Sequence, residues 1–456
     1  MDKLHLKDQV GHDLGGVRLV LAVVARVLLA ALAGREAARG VLDEDLNVRT
    51  IKSEAREPLE ADMSETRVLI SGGGVAGPAL AYWLHRYGFR PTIVERSPTV
   101  RAVGHRLQIE GVGVEALRRM GVLGQARERG SSAPGEVRFG FGGRREVKIP
   151  GTSLVSEENG LVIRRGELCE VLYEQVSDEV EYLFDDSVTG LQETADGVTV
   201  SFQNREPREF DLVVGADGIH SNIRSLAFGP KERFRRYLGT NLALFELENH
   251  LGLTDRMVGR IKPGRGVLLA PFPEPDRLEC TILTRDKEPL EDPDRHRRLL
   301  KERFAGDGRE ADHLLSEMET SPMTHMSPTV QIHMDSWTSG RVALLGDAGY
   351  CPDPMTGQGS TMALVGACVL GGALARAGGD HRTAFPAYER AMREFVDANH
   401  AMGGTHTSLA APDTGELGLR VMSLLMGLLV GITARTGVTA VMKRAYNFPL
   451  ADHVAA

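Results

Sequence analysis

The sequence predicts an α/β fold: a parallel sheet whose strands come from segments far apart in the chain, joined to an antiparallel sheet and a helical C-terminus. Three observations carry this. Val68-Leu69-Ile70-Ser71 is an apolar run that passes through Gly72, Gly74 and Gly77 into a helix-like stretch. Leu212-Val213-Val214 and Val342-Ala343-Leu344-Leu345 are two further runs of the buried-strand type, each leading into a turn built from Gly and Asp. Between them, Val267-Leu268-Leu269-Ala270-Pro271-Phe272 and Leu278-Glu279-Cys280-Thr281-Ile282-Leu283 flank a Pro-Glu-Pro-Asp turn and read as a hairpin of the antiparallel sheet.

The first strand carries the most chemistry. Gly72 permits a tight turn and Gly74 lets the backbone approach a ligand. Val75 and Ala76 open the helix, and Gly77 lets that helix pack on the strand, so its N-terminus faces an anion such as a pyrophosphate. A second strand, Pro91-Thr92-Ile93-Val94, ends in Glu95 and Arg96, and Glu95 is placed to accept hydrogen bonds from an adenosine ribose. Glycines alone would fit a merely flexible turn; strand, helix, strand and terminal acid in that order indicate a bound dinucleotide. The strand ending at Asp347 leads into Pro354-Met355-Thr356-Gly357-Gln358-Gly359 and a long apolar helix. A carboxylate at Asp347 suits a ribityl hydroxyl, and the Gly357, Gln358 and Gly359 amides at a helix start suit an electron-rich flavin ring, so the arrangement favours FAD over NAD. Asp217, in Ala216-Asp217-Gly218, ends the third strand; capping of the following helix is the simpler use of that residue.

Taken together, these three segments resemble the class A flavoprotein aromatic hydroxylases, the para-hydroxybenzoate hydroxylase-like family, and within it the TetX-like and polyketide-tailoring monooxygenases. The resemblance runs from Met63 to about Tyr388. It implies a discontinuous, Rossmann-like FAD-binding domain, with Asp217-Gly218 holding FAD and positioning the nicotinamide donor and Asp347 binding the ribityl chain. Arg165 matches the family's Arg-x-x-Leu element and would contact the flavin. Arg106 either faces the active site or forms a surface ion pair. The implied chemistry is reduction of FAD by NADH or NADPH, addition of O2 at the flavin C4a position, and transfer of one oxygen atom from the hydroperoxide to an aromatic or polyketide-like small molecule. The chain departs from the family pattern at Tyr350, where His is usual, at Thr361 in place of Asn, and at Gly366 in place of Asp. These changes put ring polarisation and flavin movement in question and leave the substrate open. No protein acid or base is assigned. A reductase or oxidase, or a redox-responsive flavoprotein binding partner with little turnover, is the alternative; Trp83 and Trp337 supply no halogenase-type W-x-W-x-I-P element.

Composition narrows the classes. A net charge of -8 over 456 residues argues against a nucleic-acid binder, which needs a basic surface to displace counterions. The cysteines Cys169, Cys280, Cys351 and Cys368 show no C-x-x-C or disulfide spacing, which suits reduced thiols in a cytoplasmic protein. The histidines follow no metal-ligand spacing, so no metal is expected. An apolar stretch at 17–34 is interrupted by Arg18 and Arg26, and neither a membrane span nor membrane contact is expected. Residues 1–62 lie outside the resemblance and are expected to be a disordered or helical leader outside the catalytic fold. Codons for Leu59 to Asp62 can contain a ribosome-binding sequence, which points to Met63 as the natural start; a genuine amphipathic extension is the alternative. The expected organisation is an FAD-binding domain from 63–135, 205–235 and 336–380, a substrate domain with intervening segments from 136–204 and 236–335, and C-terminal helices over 381–456. The apolar stretch 419–430 is expected to pack against the two lobes.

Overall fold

Apolar runs without polar alternation need cover on both faces, and the parallel sheet provides it. The computed structural model describes residues 66–100, 104–142, 146–150, 160–321, 324–436 and 446–454; the expected leader at 1–62 lies outside them. Side by side run Val342–Leu344, Leu212–Gly215, Arg67–Ser71, Arg90–Glu95 and Glu181–Phe184, all parallel, with the antiparallel Thr338–Ser339 at one edge. Val68, Leu69, Ile70, Val213 and Val214 are fully buried. The helices Ala76–Arg86 and Gly359–Arg376 pack on one another, and an added Cβ on Gly371 would sit 2.8 Å from the Cβ of Trp83. Gly359–Arg376 has the length and hydropathy of a membrane span, but 78% of it is buried inside the protein, as in the core helix of a packed domain.

The second sheet has the order Thr324–Ile332, Arg235–Glu248, Arg277–Arg285, Arg265–Pro271, Arg256–Lys262, Glu136–Phe141 and Glu146–Pro150; it is antiparallel as expected except between Arg256–Lys262 and Glu136–Phe141, which pair in parallel. The hairpin read from the sequence is present, with Ala270 opposite Glu279 and Leu268 opposite Thr281. Strand alternation sorts its residues. Leu278, Cys280 and Ile282 enter a core with Leu300, Phe304, Leu314 and Met318 of the helices Pro293–Phe304 and Arg309–Thr320, while Glu279, Thr281 and Leu283 line a cavity on the other face.

One boundary moves. Glu181–Phe184 falls in the block 136–204 expected to serve the substrate domain, yet it closes the edge of the parallel sheet beside Arg90–Glu95. The helix Arg165–Glu174 likewise packs into that core through Leu168, Val171 and Leu172. From the block, the antiparallel sheet takes only Glu136–Phe141 and Glu146–Pro150. A four-residue strand with one buried side chain, Leu183, carries no periodicity from which its partner could be read.

The C-terminal expectation of helices holds for His381–Ala410 and Glu416–Thr436. The second packs Leu419 and Met422 against Phe141, Val147 and Ile261 of the second sheet, so the stretch expected to pack on both lobes packs on this one, while Leu417, Leu424 and Leu428 remain exposed.

Candidate active site

The two sheets enclose a cavity of about 1340 Å³. One side is lined by the turns that end the parallel strands; the other is the antiparallel sheet with Leu242, Leu244, Leu268 and Leu283, closed further by Leu409 and Met426 from the C-terminal helices. Gly72, Gly74, Val75, Ala76, Glu95, Arg96, Arg106, Arg165, Asp217, Asp347, Pro354, Gly357, Gln358 and Gly359 all line it. Of the cofactor-contact candidates named from the sequence, Gly77 stands behind the wall, as its packing role requires.

The glycines at the first turn divide by function. Gly72 has φ +113°, and a Cβ there would lie 2.5 Å from the Ala216 carbonyl oxygen; a Cβ on Gly77 would lie 1.9 Å from the Gly72 carbonyl oxygen. Both positions therefore require glycine for the fold itself. At Gly74 a Cβ would meet only the tip of the Arg165 guanidinium, at 3.0 Å, so that glycine keeps space clear on the cavity side. Glu95 accepts from the Gly73 amide at 2.7 Å and from the Ser97 amide at 2.9 Å. It thus holds the turn as well as facing the position expected for a ribose. Arg96 stays exposed at the rim.

The two oxygens of Asp217 stand in different surroundings. Its Oδ2 accepts from the amides of Asn222 and Ile223 at 2.8 and 3.1 Å, capping the helix Asn222–Phe228, while Oδ1 is buried without a protein partner. Burial raises its pKa. Gln358 Oε1 is a second buried oxygen without a partner, at the start of the helix Gly359–Arg376. Buried acceptors left unpaired are costly, and two of them on the wall of one cavity fit a ligand that donates hydrogen bonds there. Asp347 is half-buried at the cavity wall; burial raises its pKa, partly offset by a hydrogen bond from the Cys351 thiol and by Arg165. Burial also pushes the Cys351 thiol well up, so it remains a donor and a packing group. Glycine turns, an unpaired Asp217 oxygen, the half-buried Asp347 carboxyl and the Gln358–Gly359 helix start together fit a flavin dinucleotide.

Several residues here carried no signal in the sequence. Arg224 is fully buried and donates to the carbonyls of Ala348 at 2.8 Å and Ile219 at 2.7 Å, tying the Asp217 turn to the Asp347 turn. The helix His381–Ala410 grips the loop that leads to Gly357. His400 reaches the Cys351 carbonyl at 3.2 Å, His406 reaches that of Met355 at 3.2 Å, and Thr407 donates to the Asp353 carboxyl. Gln331 adds a bond of 3.0 Å to the Pro352 carbonyl, which lies 2.3 Å from where a Cβ on Gly403 would stand. Asp353 is 1% exposed and sits at φ +96°, a conformation that strains a residue with a Cβ. Burial lifts its pKa to about 7 against the hydrogen bonds from Thr407 and the Met355 amide.

The departures at Tyr350 and Gly366 form one unit. The Tyr350 hydroxyl meets that of Tyr388 at 2.9 Å, and Tyr388 donates to the Leu344 carbonyl at 3.0 Å. A Cβ on Gly366 would lie 2.2 Å from the Tyr350 hydroxyl oxygen, so the small residue makes room for the large one. Thr361 is buried, and its hydroxyl has no hydrogen-bond partner.

Arg106 is no surface ion pair. Its guanidinium donates to the Pro271 carbonyl at 3.1 Å and to Gln108 at 2.9 Å, bridging the two lobes at the cavity wall.

A family model described as an FAD binding domain matches residues 65–399. A flavin-dependent monooxygenase of Legionella longbeachae is 34% identical over 355 residues, spanning 74% of this chain and 87% of that protein. An uncharacterized protein of Mycobacterium tuberculosis is 37% identical over 353 residues, spanning 76% and 94%. The crystal structure of the tetracycline destructase Tet(55) matches with a TM-score of 0.71 at 28% identity, covering 86% of this chain and 98% of that one.

Proposed function

The chain belongs to the FAD-binding flavin-dependent monooxygenases, class A flavoproteins, and on that premise we propose that it uses NADH or NADPH and O2 to insert one oxygen atom into an aromatic or polyketide-like small molecule. The observation that carries the reading is the cavity itself. Its floor is the set of turns fitted to FAD, and its roof is an apolar sheet supplying Leu242, Leu244, Leu268 and Leu283. Bound FAD would supply the redox chemistry, accepting electrons from the nicotinamide donor and activating O2. The protein binds, orients and excludes water: Gly72, Gly74 and the helix starting at Ala76 would receive the pyrophosphate, Glu95 the adenosine ribose, Asp347 the ribityl chain, and Gln358–Gly359 the ring. An apolar roof keeps bulk water from the reacting face and strengthens the polar contacts that remain. The shared architecture with a tetracycline destructase is in keeping with a flat polycyclic substrate.

The test is incubation of the FAD-loaded protein with NADH or NADPH and a panel of aromatic polyketides. The reading expects at least one product heavier by a single oxygen atom, with nicotinamide oxidation accelerated by that compound. Steady nicotinamide oxidation with hydrogen peroxide as the only product across the panel would favour a reductase or oxidase instead.

A further inference from the structure

Where the two lobes meet, two arginines of the strands Arg106–Ile109 and Leu161–Arg164 face two glutamates of the antiparallel sheet. The glutamates lie directly opposite one another on the same face, Glu246 against Glu279, but they are treated differently. Glu246 is held by Arg164 at 2.9 and 3.2 Å and by Arg277 at 2.6 Å, a saturated structural ion pair. Among the described residues Glu279 receives only the Arg106 backbone amide, at 2.7 Å on Oε2. The Arg106 guanidinium turns away from it, to Pro271 and Gln108. Glu279 is only 6% exposed, yet it lines the cavity, and no donor among the described residues reaches its Oε1. Thr281 and Leu283 follow it on the same face, and Leu244, Leu268 and Leu242 stand opposite them in register.

Resting on the monooxygenase reading, we propose that Glu279 is the substrate-anchoring acceptor of this site: it takes a hydrogen-bond donor, a phenolic hydroxyl or an ammonium group, carried by an otherwise apolar ring system, and it selects against carboxylate-bearing ligands. The electrostatics agree. A second carboxyl, Glu110, is 4% exposed on the same cavity wall and accepts from Gln108. Burial raises the pKa of Glu110 and lifts that of Glu279 to about 7, against the pull of Arg106 and Arg164 and with Glu246 adding to the rise. Above that pH Glu279 is ionised, and a desolvated carboxylate at the cavity wall repels a second anion and favours a donor. The competing account is that Glu279 only latches the lobes through the Arg106 amide; it predicts altered stability without altered selectivity.

The experiment uses the FAD-loaded full chain and three probes of one ring system: β-naphthol, its methyl ether, and β-naphthoate. Binding is read at about pH 8, where Glu279 is ionised, from the perturbation of flavin absorbance without turnover, so it is scored independently of oxygenation. In the wild type, β-naphthol is expected to bind about tenfold tighter than the ether, with β-naphthoate weakest. Glu279→Gln keeps an acceptor for the Arg106 amide and should bring β-naphthol and β-naphthoate to within about threefold of one another. Equal or tighter binding of β-naphthoate to the wild type overturns the proposal, as does unchanged selectivity in the variant. If the variant does not hold flavin, the wild-type order alone decides. Oxygen transfer without this order would sink the role of Glu279 and spare the enzyme class, while this order without oxygen transfer would do the reverse.

Discussion

Replacing Asp353 by Asn should stabilise the protein at alkaline pH and leave it nearly unchanged in acid. Asp353 is buried, sits at φ +96°, and titrates near 7 in place of 3.8, because burial outweighs the bonds from Thr407 and the Met355 amide. A carboxyl whose folded pKa lies above its unfolded value costs nothing below the unfolded pKa. The cost grows as pH rises from there towards the folded pKa, and is constant above it. A difference of about 3 in pKa corresponds to at most about 4 kcal/mol at full ionisation. Asn removes that cost, keeps an oxygen for the Thr407 hydroxyl, and tolerates positive φ better than most residues. Urea unfolding from about pH 4 to about pH 8 should therefore show the wild type losing stability across the range while Asp353→Asn loses less, with the gap widest at the top. Glu279, which burial also lifts to about 7, adds a slope of the same sign in both proteins, so the variant retains part of the decline. Parallel curves for the two proteins would refute the reasoning.

Three further perturbations separate cofactor binding from folding. Gly74→Val should fold, because only the tip of Arg165 must move, yet fail to retain flavin, whereas Gly77→Val should not fold at all, since its Cβ would overlap the Gly72 carbonyl; flavin content and circular dichroism of the two proteins distinguish the cases. Asp347→Ala should weaken FAD by roughly tenfold to a hundredfold, the value of one charge-assisted hydrogen bond at about 1.5–3 kcal/mol, measured by equilibrium dialysis of the purified protein. Gly366→Ala should cost about 1–3 kcal/mol through overlap with the Tyr350 hydroxyl, and Tyr350→Phe in the same chain should recover part of it, a coupling read from a double-mutant cycle in urea.

Where local chemistry dictates geometry, the sequence was readable. The turn from Gly72 to Gly77 is fixed by atoms within the turn and its neighbouring strands, and every residue named on that basis lies at the cavity or directly behind it. The hairpin 265–285 was legible for the same reason, two alternating runs around a proline turn. What escaped depends on contacts between distant segments. Glu181–Phe184 joins the parallel sheet through backbone pairing that leaves no side-chain period. His400, His406 and Thr407 sit on a long helix with no motif, and their significance exists only because backbone carbonyls of Cys351 and Met355 and the Asp353 carboxyl lie opposite. Tyr350 and Gly366 looked like two separate losses, and the structure makes them one exchange of volume with Tyr388 as the new hydrogen-bond partner. Asp217 was ambiguous between a cap and a ligand contact because one of its oxygens caps the following helix while the other is left without a partner among the described residues.

The central claim is that this cavity brings a flavin, O2 and an apolar small molecule together so that one atom of O2 enters the molecule. The most direct test is turnover of an accepted aromatic polyketide under isotopically heavy O2 in ordinary water, with NADH or NADPH as donor and the product examined by mass spectrometry. The account predicts a product carrying one heavy oxygen atom, in step with nicotinamide consumed. A product that carries ordinary oxygen, or none at all while the heavy isotope accumulates in hydrogen peroxide, would contradict it.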